Sequence, residues 1–169
     1  LCSVVGADVS QVRRGMGTDR RIGKHFLFPG VGYGGSCFPK DVRALRKTAR
    51  YHGSEMRILD SVDEVNEEQK MRIVHQVVSR YGDALNTMHF AVWGLAFKAQ
   101  TDDMREAPSL VIINALLERG ATVTAFDPQA HETAHEELGD RIKYASNVYD
   151  AAEGADALLV ITDWAEFKH

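Results

Sequence analysis

The chain has 169 residues, enough for one domain or for a small domain with part of another. Its 44% hydrophobic and 26% charged residues exclude a disordered chain and a collagen-like repeat. No apolar run approaches the roughly 18 residues of a membrane span. Two cysteines are too few for a disulfide scaffold, and they lack the spacing of metal ligands. We therefore expect a cytoplasmic protein with no membrane partner and no metal. Because the first residue is Leu1, we also expect a piece of a longer protein.

Charge is distributed unevenly, although the formal net charge is only −4. Residues 1–50 hold ten Lys and Arg against three Asp and Glu, whereas residues 51–169 hold ten against twenty-one. A basic segment indicates either an anionic partner or simply a solvated basic face. We expect a phosphorylated small molecule and no nucleic acid, because the segment lacks interleaved aromatic residues and any DNA-reading motif.

The first fifty residues predict short helices on either side of a glycine-rich loop. Residues 1–5 are typical of the end of a helix. Asp8 and Gln11 resemble a capping box that begins a second helix. Glycines recur from 15 to 35, which predicts a loop, and Pro39 is typical of the first turn of a third helix.

A longer helix is predicted over residues 54–81, followed by a turn at 82–86. Apolar residues recur along it at intervals of three or four, which gives a stripe wider than one small domain can cover. We expect this helix to span between domains or to pack on a second subunit. The turn divides the chain into a central helical dimerisation region, residues 1–83, and a second domain, residues 84–169.

The second domain has the alternation of βαβ units, which predicts an α/β fold with a Rossmann-like, doubly wound parallel sheet. Ligands bind such sheets beyond the carboxyl ends of the strands. The predicted strands are 89–93, 122–126, 142–144 and a buried 157–161, and the predicted helices are 108–119, 130–138 and 148–152.

The most informative segment is residues 30–41, GVGYGGSCFPKD. Glycines without Cβ let a backbone approach a ligand closely. Cys37 immediately precedes a helix start, where unpaired N–H groups and the helix dipole favour a thiolate, and Lys40 adds positive charge. Asp41 lies one helical turn after Cys37. A lone cysteine is most often a buried small hydrophobe, but this combination favours covalent catalysis at a carbonyl carbon.

Residues 19–45 closely resemble the active-site segment of the UDP-glucose 6-dehydrogenases. Residues 94–98, GLAFK, and 101–109, TDDMREAPS, resemble the start of that family's C-terminal nucleotide-sugar domain. Both motifs occur in the family's order, and the resemblance extends over essentially the whole chain. It implies an NAD-dependent enzyme that oxidises UDP-glucose twice to UDP-glucuronate through a cysteine thiohemiacetal and thioester.

The resemblance also implies a role for individual residues. Cys37 matches the nucleophile, and Asp41 matches a carboxylate that positions or activates water. Arg21 matches a substrate contact reaching a neighbouring subunit, which implies a homodimer or a higher homo-oligomer. The other implied substrate contacts are Phe26, Tyr33, Gly34, Phe97 and Lys98, and the implied cofactor contacts are Lys40 and Arg105.

Alternatives remain open on the sequence. GDP-mannose dehydrogenases share the Gly-Gly-Ser-Cys core, although residues 29–33 and Phe38 favour UDP-glucose. UDP-N-acetylmannosamine dehydrogenases differ further, since a Gly-Gly-His pattern precedes their cysteine. A non-catalytic module for nucleotide-sugar binding and oligomerisation is the alternative outside enzymes. No Gly-x-Gly-x-x-Gly opens a strand–helix unit in the sequence, so we expect the family's N-terminal NAD-binding domain to be missing and this piece alone to be inactive.

Overall fold

The computed structural model describes residues 1–168. The chain forms two compact units, the first being Leu1–Gly30 and the second beginning at Val31. The first unit contains α1 (Cys2–Val5) and α2 (Val9–Gly17). The residues that end α1 and begin α2 do so as the sequence predicts.

Gly6 ends α1 in the left-handed conformation, with a φ of 70°. Asp8 is the N-cap of α2, and its carboxylate accepts hydrogen bonds from the Ser10 and Gln11 N–H groups. The helix end and the N-cap predicted here are confirmed. The loop begins later than predicted, because α2 continues through Gly17.

The second unit opens with the loop that carries Cys37 and continues into two helices. These are α3 (Phe38–Tyr51), with proline in its first turn, and α4 (Arg57–Tyr81). The prediction that the long helix begins at residue 54 is wrong. The Ser54 N–H bonds to the Ala49 carbonyl, so Ser54 belongs to the turn that closes α3.

The two halves of α4 have different environments. In the C-terminal half, Val74 and Val77 are 0% and 5% exposed and belong to the hydrophobic core. In the N-terminal half, Ile58 and Val65 are 81% and 59% exposed. An ion pair of Arg46 with Asp60, at 2.6 Å, joins α3 to the exposed half of α4.

A parallel sheet forms the centre of the second unit, with strand order β3-β2-β1-β4. The order changes direction between β1 and β4, as in a doubly wound α/β fold. The predicted fold class is confirmed. The remaining elements are β1 (His89–Trp93), α5 (Pro108–Glu118), β2 (Thr122–Phe126), α6 (His131–Leu138), β3 (Lys143–Tyr144), α7 (Val148–Ala152) and β4 (Ala157–Val160), with 3₁₀ turns at Gly139–Arg141 and Ala165–Lys168.

One burial prediction for the sheet is wrong. Strand β4 was expected to be buried, yet Leu158 and Val160 on one of its faces are 41% and 48% exposed. β4 is the last strand in the described sheet order and pairs only with β1. The continuous apolar sequence of β4 is typical of a central, buried strand, although β4 lies at the edge of the described sheet.

The turn after α4 begins at Gly82, whose φ of 87° ends the helix. The division into domains at residue 83 stays a prediction. Among residues 1–168, no helix is both long and apolar enough to cross a bilayer.

Candidate functional site

Cys37 lies at the start of α3, as the sequence predicts. It is the residue before the helix, and its carbonyl accepts the Asp41 N–H at 2.8 Å. The residue is exposed, and its Sγ lies 3.7 Å from the Ser36 hydroxyl. Its thiol is accessible to a ligand at the end of a helix where N–H groups are unpaired and favour negative charge.

Asp41 and Lys40 occupy the first turn of α3 beside Cys37. Because the turn is helical, Asp41 lies on the same face as Cys37. The Asp41 carboxylate lies 3.5 Å from the Lys40 ammonium, and both side chains are largely exposed. A thiol, a carboxylate and a cation are thus available at one helix start.

The glycine loop before Cys37 packs against the segment between β1 and α5. The Gly35 N–H donates to the Arg105 carbonyl at 2.8 Å. A Cβ added to Gly34 would lie 2.2 Å from the Glu106 carbonyl oxygen, and one added to Gly35 would lie 2.7 Å from the Phe97 ring. Only glycine permits this approach, so the two motifs found in the sequence meet in the fold.

Glu106 fixes the segment on which the loop packs. Its φ is 55°, a left-handed conformation uncommon for a residue with a side chain. Arg43 of α3 forks onto its carboxylate, with nitrogen–oxygen distances of 2.9 and 2.8 Å. The hydrogen bond from Arg43 holds the pKa of the Glu106 carboxyl below its usual range. This ion pair joins α3 to the start of α5.

Arg105 forms an ion pair beside the loop. Its guanidinium donates twice to Asp103, at 2.9 Å each, while 69% of the side chain stays exposed. Hydrogen bonding to Asp103 raises the pKa of Arg105, and the charge of Cys37 acts in the same direction. The same pair lowers the pKa of Asp103, helped by a hydrogen bond with Ser36. Arg105 is therefore an exposed cation near the cysteine.

Asp127, at the carboxyl end of β2, anchors the loop that follows β1. One carboxylate oxygen accepts the N–H groups of Leu95 and Ala96, at 2.7 and 3.1 Å, and the Trp164 indole N–H at 3.2 Å. The carboxylate is 4% exposed, and this dense bonding satisfies it. Its second oxygen accepts the N–H groups of Gln129 and Ala130.

Phe97 and Lys98 extend from this anchored loop. The Phe97 N–H donates to the Asp103 carbonyl at 3.1 Å, and the ring contacts Gly35. The Lys98 ammonium lies 5.3 Å from the centre of the Phe97 ring, and its side chain is exposed. Lys98 is thus an exposed cation beyond the carboxyl end of β1, where doubly wound sheets bind ligands.

Arg21 and Phe26 belong to the first unit. The Arg21 guanidinium pairs with Asp19 at 2.7 Å and is 89% exposed. Phe26 is 91% exposed. Their predicted substrate roles stay predictions.

Sequence reasoning missed Asn66, which bonds to the main chain of Tyr33. It lies on α4, is 6% exposed, and both donates to and accepts from the Tyr33 peptide groups. The sequence did contain one signal for Asn66. It is a polar residue and a poor helix former, yet it stands among the apolar positions of a helix. The Tyr33 ring packs edge-on against Phe38, with centroids 4.8 Å apart, and burial raises the pKa of its phenol.

Among the residues that the structure describes, no cluster of three or more His, Cys, Asp or Glu could hold a metal ion.

Two family models match the chain. The central domain of the UDP-glucose/GDP-mannose dehydrogenase family matches residues 1–68, and the UDP binding domain of the same family matches residues 91–169. The chain belongs to the UDP-glucose/GDP-mannose dehydrogenase family. The glycine loop lies in the first matched region, and the segment on which it packs lies in the second.

Similar curated proteins include the UDP-glucose 6-dehydrogenases of Pseudomonas aeruginosa, 44% identical over 173 residues, and of Rhizobium meliloti, 45% identical over 168. Each alignment covers 99% of this chain and 38% of the relative. The chain therefore spans well under half the length of the curated relatives it matches.

Solved structures agree on the fold. A UDP-glucose dehydrogenase from Pyrobaculum islandicum superimposes with a TM-score of 0.91 at 38% identity, over 96% of this chain and 38% of that one. A GDP-mannose dehydrogenase from Pseudomonas aeruginosa gives a TM-score of 0.75 at 26% identity, over 98% of this chain and 40% of that one.

Proposed function

We propose that this chain supplies the cysteine loop and the nucleotide-sugar domain of an NAD-dependent, cytoplasmic UDP-glucose 6-dehydrogenase. The observation that carries the proposal is the packing of the Cys37 loop on the segment 97–106. Through it, an exposed thiol, the exposed Arg105 guanidinium and the loop bearing Lys98 belong to one packed arrangement. The two cations suit the phosphates of a sugar nucleotide, and the thiol suits attack on a carbon of its sugar.

Cys37 would act as the nucleophile. Its thiolate adds to the aldehyde carbon at C6 of the sugar, the C=O π bond breaks, and the oxygen gains a proton to give a thiohemiacetal. NAD⁺, when bound, supplies the oxidation by accepting hydride. The resulting thioester is hydrolysed by water, which releases the carboxylate and restores the thiol. Covalent capture keeps the aldehyde in place between the two oxidations.

Asp41 would order the hydrolytic water. It lies one turn from Cys37 on the same face of α3, and its carboxylate is largely exposed. A carboxylate there accepts a proton from water as that water attacks the thioester carbon. The neighbouring Lys40 favours negative charge at this position.

For the cofactor, the fit of the described residues is partial. Lys40 and Arg105 are exposed cations near Cys37 that suit the phosphates of NAD⁺. Residues 1–168 contain no strand–helix turn with the glycine fingerprint that cradles a pyrophosphate. These two side chains would therefore contact the cofactor at its periphery.

UDP-glucose is the proposed substrate, held by Lys98 and the glycine loop. The relatives with 44% and 45% identity are UDP-glucose enzymes, whereas the GDP-mannose enzyme is 26% identical. GDP-mannose is the second candidate, since that enzyme shares the fold with a TM-score of 0.75.

Self-association through α4 is also proposed. The exposed N-terminal half of the helix lines an apolar groove of about 670 Å³. Val62 and Val65 in this groove are 37% and 59% exposed. Burying them against a second copy of α4 would remove apolar surface from water at about 25 cal/mol per Å².

Alkylation of Cys37 tests the proposed site directly. In a Cys2→Ser background, UDP-glucose is expected to slow the reaction of Cys37 with iodoacetamide saturably, because the bound sugar covers the thiol. Lys98→Ala should weaken that protection, while Lys143→Ala, an exposed lysine on β3, should not. GDP-mannose protecting better than UDP-glucose would select the second candidate, and no protection by either nucleotide sugar would reject the binding site.

Turnover is tested in a chimaera that carries this chain in place of the matching 38% of the Pseudomonas aeruginosa relative. We expect UDP-glucuronate formation coupled to NAD⁺ reduction, and its loss with Cys37→Ala. Acid production by a folded Cys37→Ala chimaera at the parent rate would overturn the nucleophile assignment.

A further inference from the structure

The Tyr33 peptide is held by a side chain from a different element. Asn66 Oδ1 accepts the Tyr33 N–H at 2.8 Å, and Asn66 Nδ2 donates to the Tyr33 carbonyl at 3.1 Å. The two residues are 33 apart in sequence. The amide thus pairs with both polar groups of one residue, as a neighbouring strand would.

The packing around this pair shows a fitted contact. Gly32 has a φ of 112°, and a Cβ there would lie 3.0 Å from Asn66 Oδ1 and 3.1 Å from Lys70 Cγ. Asn66 is 6% exposed and Lys70 is 2% exposed. A buried asparagine amide without partners is destabilising, and these two hydrogen bonds satisfy it where α4 meets the loop.

The pairing at Tyr33 completes a series of anchors along the cysteine loop. Tyr33 is held by Asn66, Gly35 by the Arg105 carbonyl, and Cys37 by the first turn of α3. With alternate residues fixed, the backbone between them has little freedom. A change at the first anchor is therefore transmitted towards the thiol.

We propose that Asn66 is a positioning residue for Cys37, acting through the Tyr33 peptide. The inference rests on the proposed function, which assigns the loop its purpose. Asn66 itself contacts the loop backbone, and its effect on the thiol passes through residues 33–37. The long helix proposed for self-association thereby also sets the geometry of the nucleophile.

The test compares Asn66→Asp, Asn66→Ala and Ser79→Ala in a Cys2→Ser background of this chain. An ionised aspartate keeps the acceptor and the size of asparagine but cannot donate to the Tyr33 carbonyl, so it breaks one bond with little change in packing. Ser79 is an exposed residue on the same helix, outside the apolar groove, and serves as the matched control. Amide hydrogen exchange and the pH profile of Cys37 alkylation by iodoacetamide are measured for each.

For both Asn66 variants we expect exchange at the Gly35 amide to accelerate about tenfold or more, although Asn66 does not bond to Gly35. The alkylation profile of Cys37 should change in rate by about threefold or more, while core amides such as Ala91 keep their protection. Ser79→Ala should match the parent. If Asn66→Ala does not fold, the nearly isosteric Asn66→Asp carries the same test.

Parent-like exchange at Gly35 and a parent-like alkylation profile in Asn66→Asp would overturn the positioning role. Uniformly faster exchange that includes Ala91 would also overturn it, since that pattern means general destabilisation. Failure of UDP-glucose to protect Cys37 in the parent is a separate result. It would reject the proposed substrate and leave the comparison of Asn66 variants intact.

Discussion

Gly35 lies directly against the ring of Phe97, so close that a Cβ on Gly35 would be 2.7 Å from the ring edge. Its φ of 93° favours glycine independently of this contact. The cysteine loop and the loop after β1 therefore have complementary surfaces at this point. A change in the backbone or in these side chains of one loop therefore disturbs the packing of the other.

The first prediction concerns Gly34→Ala. Its Cβ would lie 2.2 Å from the Glu106 carbonyl oxygen, a backbone atom that cannot rotate away. We expect a loss of about 1–3 kcal/mol in the free energy of unfolding, measured by urea denaturation. Gly30→Ala, where an added Cβ meets no atom within 4 Å, is the control and should change stability little. Equal stability of the two variants would contradict the close packing.

The second prediction concerns Asp127→Asn. The amide replaces one acceptor oxygen with a donor, which then faces the N–H groups that bond to that oxygen in the parent. We expect destabilisation of about 2 kcal/mol or more, because buried donors lose their partners. Asp140→Asn, at an exposed aspartate, should be nearly neutral. The measurement is again urea denaturation, and a near-neutral Asp127→Asn would show that the anchor is dispensable.

The third prediction is a pH dependence at Asp103. Its pKa is lowered in the folded chain by Arg105, so its stabilising contribution is present above the unfolded value of about 3.9. The contribution disappears as pH falls through the lower folded value. Because Arg105 is largely exposed, we expect about 1 kcal/mol or less.

Asp103→Asn measures that contribution. The parent should be more stable than the variant at pH 7, and the difference should shrink towards pH 2–3. Asp102→Asn, at the exposed neighbour, controls for general charge effects. A difference that grows on acidification would give the opposite sign and refute the pairing.

The fourth prediction concerns self-association. Val65→Glu places a charge in the apolar groove of α4 and should weaken the dimer at least about tenfold, equivalent to about 1.4 kcal/mol. Glu64→Gln, on the same turn, should leave association unchanged. The mass is measured by sedimentation equilibrium at about 50 µM. A dimer whose dissociation constant lies well below this concentration persists there. A monomeric parent at this concentration would refute the proposal.

Local signals predicted most elements of the fold. β1 and β2 begin and end where the sequence places them, because short apolar runs are bounded by turn residues. The start of α4 was misplaced because Ser54 closes the preceding helix through a backbone bond, which composition does not reveal. The exposure of β4 was missed because edge position depends on strand order rather than on the strand's own residues.

For the site, the sequence identifies residues but not the contacts that fix them. Cys37 and the helix start after it follow from local chemistry. Asn66 was missed because its partner Tyr33 lies on another element, and no pattern in the sequence joins the two. Asp127 is not among the predicted site residues, although a carboxylate after a strand can satisfy the N–H groups of the adjacent loop.

The ion pair between Arg43 and Glu106 joins residues 63 apart in sequence. During synthesis, Arg43 leaves the ribosome long before its partner does. Closing such a separation costs chain entropy, so we expect this contact to form late in folding. The loop that carries Cys37 can therefore pack on segment 97–106 only after β1 and that segment have been made.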